Sequence, residues 1–414
     1  MRRFIAAAAL LLGVSNAALG QLPAEAIGGV EALPQPLKAH WAWASDILFG
    51  RTVLVDLESG RFLGQMDTGY GPFHPVFSRS RPEIYLIETY YSRGSRGERT
   101  DVLTIYDAPT LKPIAEVVLP PKRALANLSS GVATLSDDER FLAVFNLTPA
   151  TSLSIVDLEL RRFVGEIATP GCSLVFSAGV RRFIMLCGNG GLLTVSLDEE
   201  GRAASVKRSP PFFDPEADPV TEKAVRYRDE WLFVSFEGYL HAVDVSGDMP
   251  QPREKWSLLD KDDRGDSWKI GGRQHLAVHS RSGRLFSLVH QGGEFSYKHP
   301  GSEVWIYDLD KRERVQRLEL VNPGFTYMGV DISIGEDWTW PLNRLAAWAL
   351  DRVPFPGVDA LTVTGDREPL LVTGVEFSGS LGVYDARSLE FLRRVNTGNI
   401  TVGGLQAPPW GDSP

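Results

Sequence analysis

The 414-residue sequence is short of cysteine, of surplus positive charge and of long apolar runs, and each shortage removes a class of protein. Cys172 and Cys187 are its only cysteines. Two thiols make neither a disulfide-dense scaffold nor a zinc site built from three or four thiolates. Lys and Arg number 43 against 52 Asp and Glu, a net charge of −9. No cationic excess is left over to neutralise phosphates, so nucleic acid is not an expected partner. Past the N-terminus no segment reaches 18 uninterrupted apolar residues, so no helical membrane span is expected in the mature chain. The motifs G-x-S-x-G and H-E-x-x-H and the Walker loop are missing as well. What remains, at 43% hydrophobic and 23% charged, is the composition of a folded globular chain.

The first 20 residues read as an address. Arg2 and Arg3 form a positive start, Phe4 to Val14 a short apolar stretch, and Ala18-Leu19-Gly20 offers small residues before Gln21. This is the pattern of a secretory signal peptide, with cleavage expected at Gly20/Gln21. Cleavage would take the net charge from −9 to −11 by removing two arginines. Export implies an oxidising compartment, in which the two cysteines can pair. Residues 21–39 read as an N-terminal extension.

From residue 40 to 406 a repeat organises the chain. Two or three apolar residues lead to an Asp, a turn follows, and a second short apolar run begins. The Asp positions are Asp56, Asp107, Asp157, Asp198, Asp244, Asp308 and Asp385, at intervals of 51, 50, 41, 46, 64 and 77. Periods of about 40–50 residues mark a propeller or solenoid. The units are rich in Val, Ile, Tyr and Phe and punctuated by Gly, Asp, Ser and Pro, so they are β rather than helical. The second unit parses into four strands, 73–77, 83–91, 101–106 and 113–118. Seven such units make an all-β, seven-bladed β-propeller of four-stranded antiparallel blades. Each repeated Asp is expected to end the third strand and accept backbone N–H bonds in the next turn. The first unit lacks chain for its own innermost strand. Residues 400–405 have no unit of their own, and they are expected to supply that strand and seal the ring.

Cys172 and Cys187 lie symmetrically about a turn at Gly179-Val180. An antiparallel hairpin centred there sets them opposite each other at bridging distance. A disulfide between the first two strands of blade four is expected, with two separate buried thiols as the alternative. The last Asp interval is about 30 residues too long for the period. The excess is read as a Trp-rich insertion, 334–366, between the first two strands of blade seven. It would hold a short amphipathic helix over 341–352, framed by Pro341 and Pro354. Its roles would be rim packing, a lid or a partner contact. Residues 407–414 read as a tail.

Candidate chemistry is sparse. Gly188-Asn189-Gly190-Gly191 lacks the third Gly and the helix of a dinucleotide fingerprint, and reads as a hairpin turn. Asp260 to Asp266 has the look of a calcium loop, but Arg264 takes a ligand position and Gly271 the closing one, so it reads as an acidic turn. The histidines fall at 40, 74, 241, 275, 279, 290 and 299. His275 and His279 would share a strand face and His290 could approach His299 across a loop, but no carboxylate stands at supporting spacing. No catalytic, cofactor-binding or metal-ligating residue is assigned.

Several stretches resemble the heavy subunit of the quinoprotein amine dehydrogenases, the methylamine and aromatic amine dehydrogenase family. The most specific is the string from Tyr91 through Arg96-Gly97-Glu98-Arg99-Thr100-Asp101 to Leu119-Pro120. Others are Gly171-Cys172 to Cys187-Gly188, Ser267-Trp268 to His279, His290-Gln291 to Asp308, and Leu392 to Asn396. The resemblance covers about residues 40–334 and 366–406, while the insertion and tail depart from it. It implies a periplasmic α2β2 enzyme that oxidises primary amines to aldehyde and ammonia. A tryptophan tryptophylquinone would sit on a separate light chain, and electrons would pass to a blue copper protein. Catalytic base and cofactor would belong to the light chain. The family's substrate-channel aromatic maps most closely to Phe49, where simple packing is the alternative. The loops 92–100 and 291–301 would mark the partner face. A competing reading is a stand-alone propeller that binds or scaffolds without catalysis.

Overall fold

A computed structural model describes residues 32–410, apart from 47, 72, 126–129, 322–324, 328–329, 333–356, 377 and 400. The expected signal peptide lies outside these residues. Seven antiparallel blades follow one another along the chain, each with four strands in spatial order, and a separate two-stranded ribbon, Phe325–Tyr327 with Val330–Ile332, lies between blades six and seven in the sequence. Strands are numbered here from the central channel outward. Blade two shows the pattern: Val76–Phe77, Glu83–Tyr91, Arg99–Asp107 and Lys112–Leu119. Its first strand is shorter than the 73–77 expected from sequence. Blade six has its first strand broken into Trp268–Ile270 and Leu276–His279. In blade five it is the fourth strand that is broken, into Gln251–Pro252 and Trp256–Ser257.

The ring closes as the sequence implies. Gly404–Gln406, from the C-terminal end, pairs as first strand against Trp41–Asp46, the second strand of blade one. The outer strands of that blade are Arg51–Asp56 and Phe62–Asp67. No edge of the inner sheet is left open there.

The core is not one central mass. It is a series of apolar layers between neighbouring blades. Val53 and Val55 of blade one meet Val372 and Val383 of blade seven, with Val402 and Leu405 of the closing segment. Trp41, Trp43 and Leu54 meet Ile84 and Leu86 of blade two. Phe176 and Phe183 of blade four meet Phe233 of blade five. Second and third strands are covered on both faces, which is why Glu83–Tyr91 and Ser152–Asp157 are almost continuously buried. Fourth strands are covered on one face, and Lys112–Leu119 alternates over its second half accordingly.

The repeated Asp does what its turn chemistry demands in all seven blades. Asp56 accepts from the N–H groups of Glu58 and Ser59, both at 2.9 Å. Asp107, Asp157 and Asp198 accept from Thr110, Leu160 and Glu200. Asp244, Asp308 and Asp385 accept from Ser246, Asp310 and Arg387. Just before this Asp the register between third and fourth strands shifts in six blades, as between Ile105 and Tyr106 or Ile155 and Val156. One bulge per blade at one position adds twist at the rim.

Cys172 and Cys187 are directly opposed in the first two strands of blade four and form a disulfide. The placement of the long insertion needs correction. Blade seven begins with Ala360–Val363, followed by Leu370–Gly374, so residues 334–356 lie ahead of its first strand and not between its first two. They belong to the crossing from blade six. The short A-L-T-V strand carries little periodicity, so the excess appeared to follow the first strand rather than precede it. The helix expected over 341–352 lies outside the described residues. Trp410, in the expected tail, packs edge-on against Phe77 with ring centres 5.6 Å apart.

Candidate functional site on the crossover face

Antiparallel order divides the connections between two faces. First-to-second and third-to-fourth hairpins fall on one, the hairpin face. Second-to-third loops and the crossings between blades fall on the other, the crossover face. The two loops singled out in the sequence, now bounded as 92–98 and 292–302, are both second-to-third loops and share the crossover face. Phe49 joins them, in the connection between Trp41–Asp46 and Arg51–Asp56.

Phe49 does not pack into the core. It is 59% exposed, beside Leu48, with the Arg51 guanidinium 5.4 Å from its ring centre. Arg51 is itself anchored, donating from Nη2 to the Gly398 carbonyl at 2.7 Å. Other exposed apolar side chains on this face are Tyr70, Tyr90, Leu147, Phe295 and Val321. Phe295, at the tip of loop 292–302, is 77% exposed. Single exposed apolar groups are ordinary, and others stand on the outer strands and hairpin turns, as at Phe62, Val118 and Leu160; those on the crossover face make it a candidate docking surface.

Loop 92–98 stands on a buried ionic base. Arg99 donates from Nε and Nη2 to Asp101 at 2.9 and 2.8 Å. The Asp101 carboxylate also accepts the Arg123 N–H at 3.1 Å and the Thr89 hydroxyl at 2.7 Å. Arg123 in turn donates to Thr89 Oγ1 at 2.6 Å and to the Tyr70 carbonyl at 2.8 Å. The R-T-D end of the string is thus structural: it ties loop 92–98 to the crossings at 68–75 and 120–124. Breaking such a network strands a buried charge and costs about 3–5 kcal/mol.

The central channel opens on the same face as a cavity of about 660 Å³. Its mouth is lined by His74, Glu222, Lys223, Arg273, Tyr297 and Lys298, and His275 lies deeper. Glu222 and Lys223 pair at 3.5 Å. Burial pulls the Lys223 ammonium down and Glu222 only partly restores it, while Lys298 and Arg273 add to the depression. Burial pushes the Glu222 carboxyl up, but Lys223 and Lys298 outweigh it and hold it below its usual value. His74 and His275 are lowered to about 4, chiefly by burial and secondly, at His74, by Lys223. Both are neutral at neutral pH. His275 donates from Nδ1 to the Gly272 carbonyl, and its Nε2 accepts from the Thr221 hydroxyl, each at 3.0 Å. Arg273 is paired with Glu376 at 2.7 Å. Phe49 does not line this cavity.

The remaining sequence candidates resolve into structure. His279 pairs with Ser282 and with the Asp366 carbonyl. His290 comes within 5.7 Å of His299, ring centre to ring centre, and its Nε2 faces Ser296 Oγ at 2.9 Å. No group of three or more His, Cys, Asp or Glu placed to hold a metal occurs among the described residues. Asp260 caps the short helix Lys261–Gly265, and Arg314 holds Asp260 and Asp263 at 3.2 and 2.6 Å. This is a helix cap, not a calcium loop. Gly188 to Gly191 is a second-to-third turn, with Gly190 in the left-handed region at φ 81°. The charged cavity mouth was not visible in the sequence. Its residues come from distant blades, and no local spacing links them.

The structure defines the class: a closed seven-bladed propeller in which Phe49, Phe295 and a charged cavity share the crossover face. The sequence profile named "methylamine dehydrogenase heavy chain" matches residues 44–338, and the chain belongs to that family. The methylamine dehydrogenase heavy chain of Paracoccus versutus is 27% identical over 345 residues, 83% of this chain and 72% of that one. That of Methylophilus methylotrophus is 27% identical over 269 residues, 64% of this chain and 65% of that one. Among solved structures, a functionally unknown protein from Desulfotomaculum acetoxidans superposes with a TM-score of 0.58 at 10% identity, covering 89% of this chain and 99% of that one. A dihydro-heme d1 dehydrogenase reaches 0.53 at 17% identity, with 91% and 77% covered. These two likenesses bear on the fold alone.

Proposed function

We propose that the chain is the heavy subunit of an exported amine dehydrogenase that oxidises primary amines to aldehyde and ammonia. A separate light chain would carry a tryptophan tryptophylquinone, which supplies the redox chemistry, and electrons would leave to a blue copper protein in the periplasm. The observation that carries this reading is the family match over 44–338 together with the placement of Phe49 and loops 92–98 and 292–302 on one face. That face suits a partner-bound group: Phe49, Phe295 and Tyr297 give apolar cover, and Lys298 and Arg273 give charge. The role of this chain is to seat the light chain, exclude water from its reactive group and shape the amine's path, with Phe49 as a wall of that path. The signal-type N-terminus and the disulfide suit an oxidising compartment.

The test is purification of the native protein from its source periplasm. The expected product is a complex with a small light chain, with amine-dependent dye reduction by the complex and none by the isolated heavy chain. Recovery of a stable monomer with no light chain and no quinone absorbance would sink the reading in favour of a stand-alone binding propeller.

A further inference from the structure

The hairpin face holds a second concavity, between blades six and seven, of about 590 Å³. Three turns build it: the first-to-second hairpins 280–283 and 364–369, and the third-to-fourth turn 386–390. Arg281, Arg284, Arg367 and Arg387 line it, with His279 and Gln316, and no carboxylate is among its lining residues. In a chain of net charge −9 this is a local reversal of sign.

The carboxylates nearby are already committed. Asp308 holds Arg284 at 3.0 Å. Asp366 faces His40 at 3.0 Å and Thr364 at 2.6 Å. Asp385 accepts the N–H groups of Arg387 and Ser388 in its own turn. Arg367 and Arg387 have no ion pair among the described residues. Glu368, next along the chain, pairs with neither. Both arginines are exposed, and Arg387 is steered by donating from Nη2 to the Arg367 carbonyl. The wall is held by backbone contacts. Arg281 Nε donates to the Gly365 carbonyl at 3.0 Å, and His279 Nε2 donates to the Asp366 carbonyl at 2.8 Å. Phe286, Ile306 and Pro369 give the pocket an apolar floor.

We propose that this pocket is a binding site for a phosphate monoester. Guanidinium forks match tetrahedral dianions through paired N–H donors, and several arginines over one cavity favour the dianion above a single carboxylate. The floor takes the apolar part of the ester. Phosphate on a small soluble molecule and phosphate on a lipid headgroup present the same chemistry. The site is independent of the amine dehydrogenase reading, since it lies on the face opposite Phe49.

The test titrates the intact purified protein with glycerol 3-phosphate by calorimetry at low ionic strength, and separately with phosphatidate vesicles by co-sedimentation against neutral phosphatidylcholine vesicles. The expected result is one saturable site in at least one arm, weakened tenfold or more by Arg367→Gln with Arg387→Gln. The double variant Lys112→Gln with Lys207→Gln removes the same charge from outer strands of blades two and four, and should bind as the parent does. Saturation in the first arm alone assigns a soluble ester, and in the second alone a lipid. Absence of saturable binding in both arms, or an equal loss in the lysine variant, overturns the proposal.

Discussion

Leu405 is the residue on which ring closure turns, and Leu405→Ala measures it. Leu405 is fully buried in the layer shared by blades seven and one. Its N–H donates to Gln274 Oε1 at 3.1 Å, and Gln274 Nε2 donates to the carbonyls of Leu405 at 2.6 Å and Leu361 at 2.9 Å. The two bonds at residue 405 are made by its backbone, so all three survive the substitution. The cost is therefore the lost side chain and the cavity it leaves, about 2–5 kcal/mol for a buried Leu→Ala change, taken here as about 3. A propeller of this length unfolds with an entropy that converts about 3 kcal/mol into a fall in Tm of roughly 4 °C. Leu392→Ala, on the outer strand Phe391–Asn396 and 38% exposed, is the matched control and should change stability by about 0.5 kcal/mol or less. The assay is thermal and urea unfolding followed by circular dichroism and tryptophan fluorescence. Truncation after Asn396 is the extreme case. It removes Leu405, the buried Val402, the Thr401 hydroxyl bond to Asp46 at 2.8 Å and the Asn399 bond to the Ala44 carbonyl at 3.0 Å, and it bares the Trp41–Asp46 edge. It should melt lower than Leu405→Ala and associate on heating. Equal melting of Leu405→Ala and Leu392→Ala, or a truncated chain as stable as the full one, would refute the closure argument.

Two further outcomes follow from single contacts. His40 bridges blades one and seven, with Nδ1 2.8 Å from Glu58 and Nε2 3.0 Å from Asp366. Burial pulls its pKa down, but Glu58, Asp366 and the Glu368 carbonyl outweigh that and raise it above 6.5. A raised folded value means stabilisation that is complete below pH 6.5 and lost as pH climbs through the folded pKa. The parent's advantage over His40→Gln in urea unfolding should therefore be larger at pH 6 than at pH 9, and an advantage that grows with pH would contradict it. The Cys172–Cys187 disulfide closes a segment of sequence separation 15. Replacing both cysteines with Ser should cost about 3 kcal/mol by the chain-entropy estimate, read as a lower urea midpoint in non-reducing buffer and no further change on adding reductant.

What the sequence made legible was what neighbouring residues decide among themselves. The seven Asp positions were readable because an Asp that caps a turn acts over two or three residues, so its spacing repeats whatever packs above it. The disulfide was readable because hairpin register is arithmetic about the turn. The Asp260 segment was legible only in part: its acidity was plain, but its partner Arg314 comes from the outer strand of blade six, beyond local reach. The channel mouth was illegible for the same reason. His74, Glu222, Arg273 and Lys298 come from separate crossings and loops, and only closure of the ring brings them to one cavity. The insertion was misplaced because Ala360–Val363 is short and opens its blade with little periodicity, while its tie to the ring, the paired bonds between Val358 and Gly301 at 2.7 and 2.8 Å, is long-range.

The two faces differ for a physical reason that bears on function. On the hairpin face the third-to-fourth turn is fixed in every blade by an Asp accepting N–H bonds, and in six blades by a bulge at its threshold. A turn so constrained varies little in length. On the crossover face such a cap holds single loops, as where Asp46 accepts the N–H groups of Leu48 and Phe49, but it does not recur from blade to blade among the described residues, and second-to-third loops run from 188–191 in blade four to 292–302 in blade six. The long crossing from blade six to blade seven leaves from that same face, and its returning end at Val358 is bonded to loop 292–302. Diversity in this chain therefore accumulates where the ring does not need uniformity, and the exposed aromatics Phe49, Tyr70, Tyr90 and Phe295 stand on that side. The arginine pocket on the hairpin face is consistent with this. It borrows rigid, short turns from two blades, and what distinguishes it is side-chain charge on an unvaried backbone, which suits a small anion as loop variation suits a protein partner.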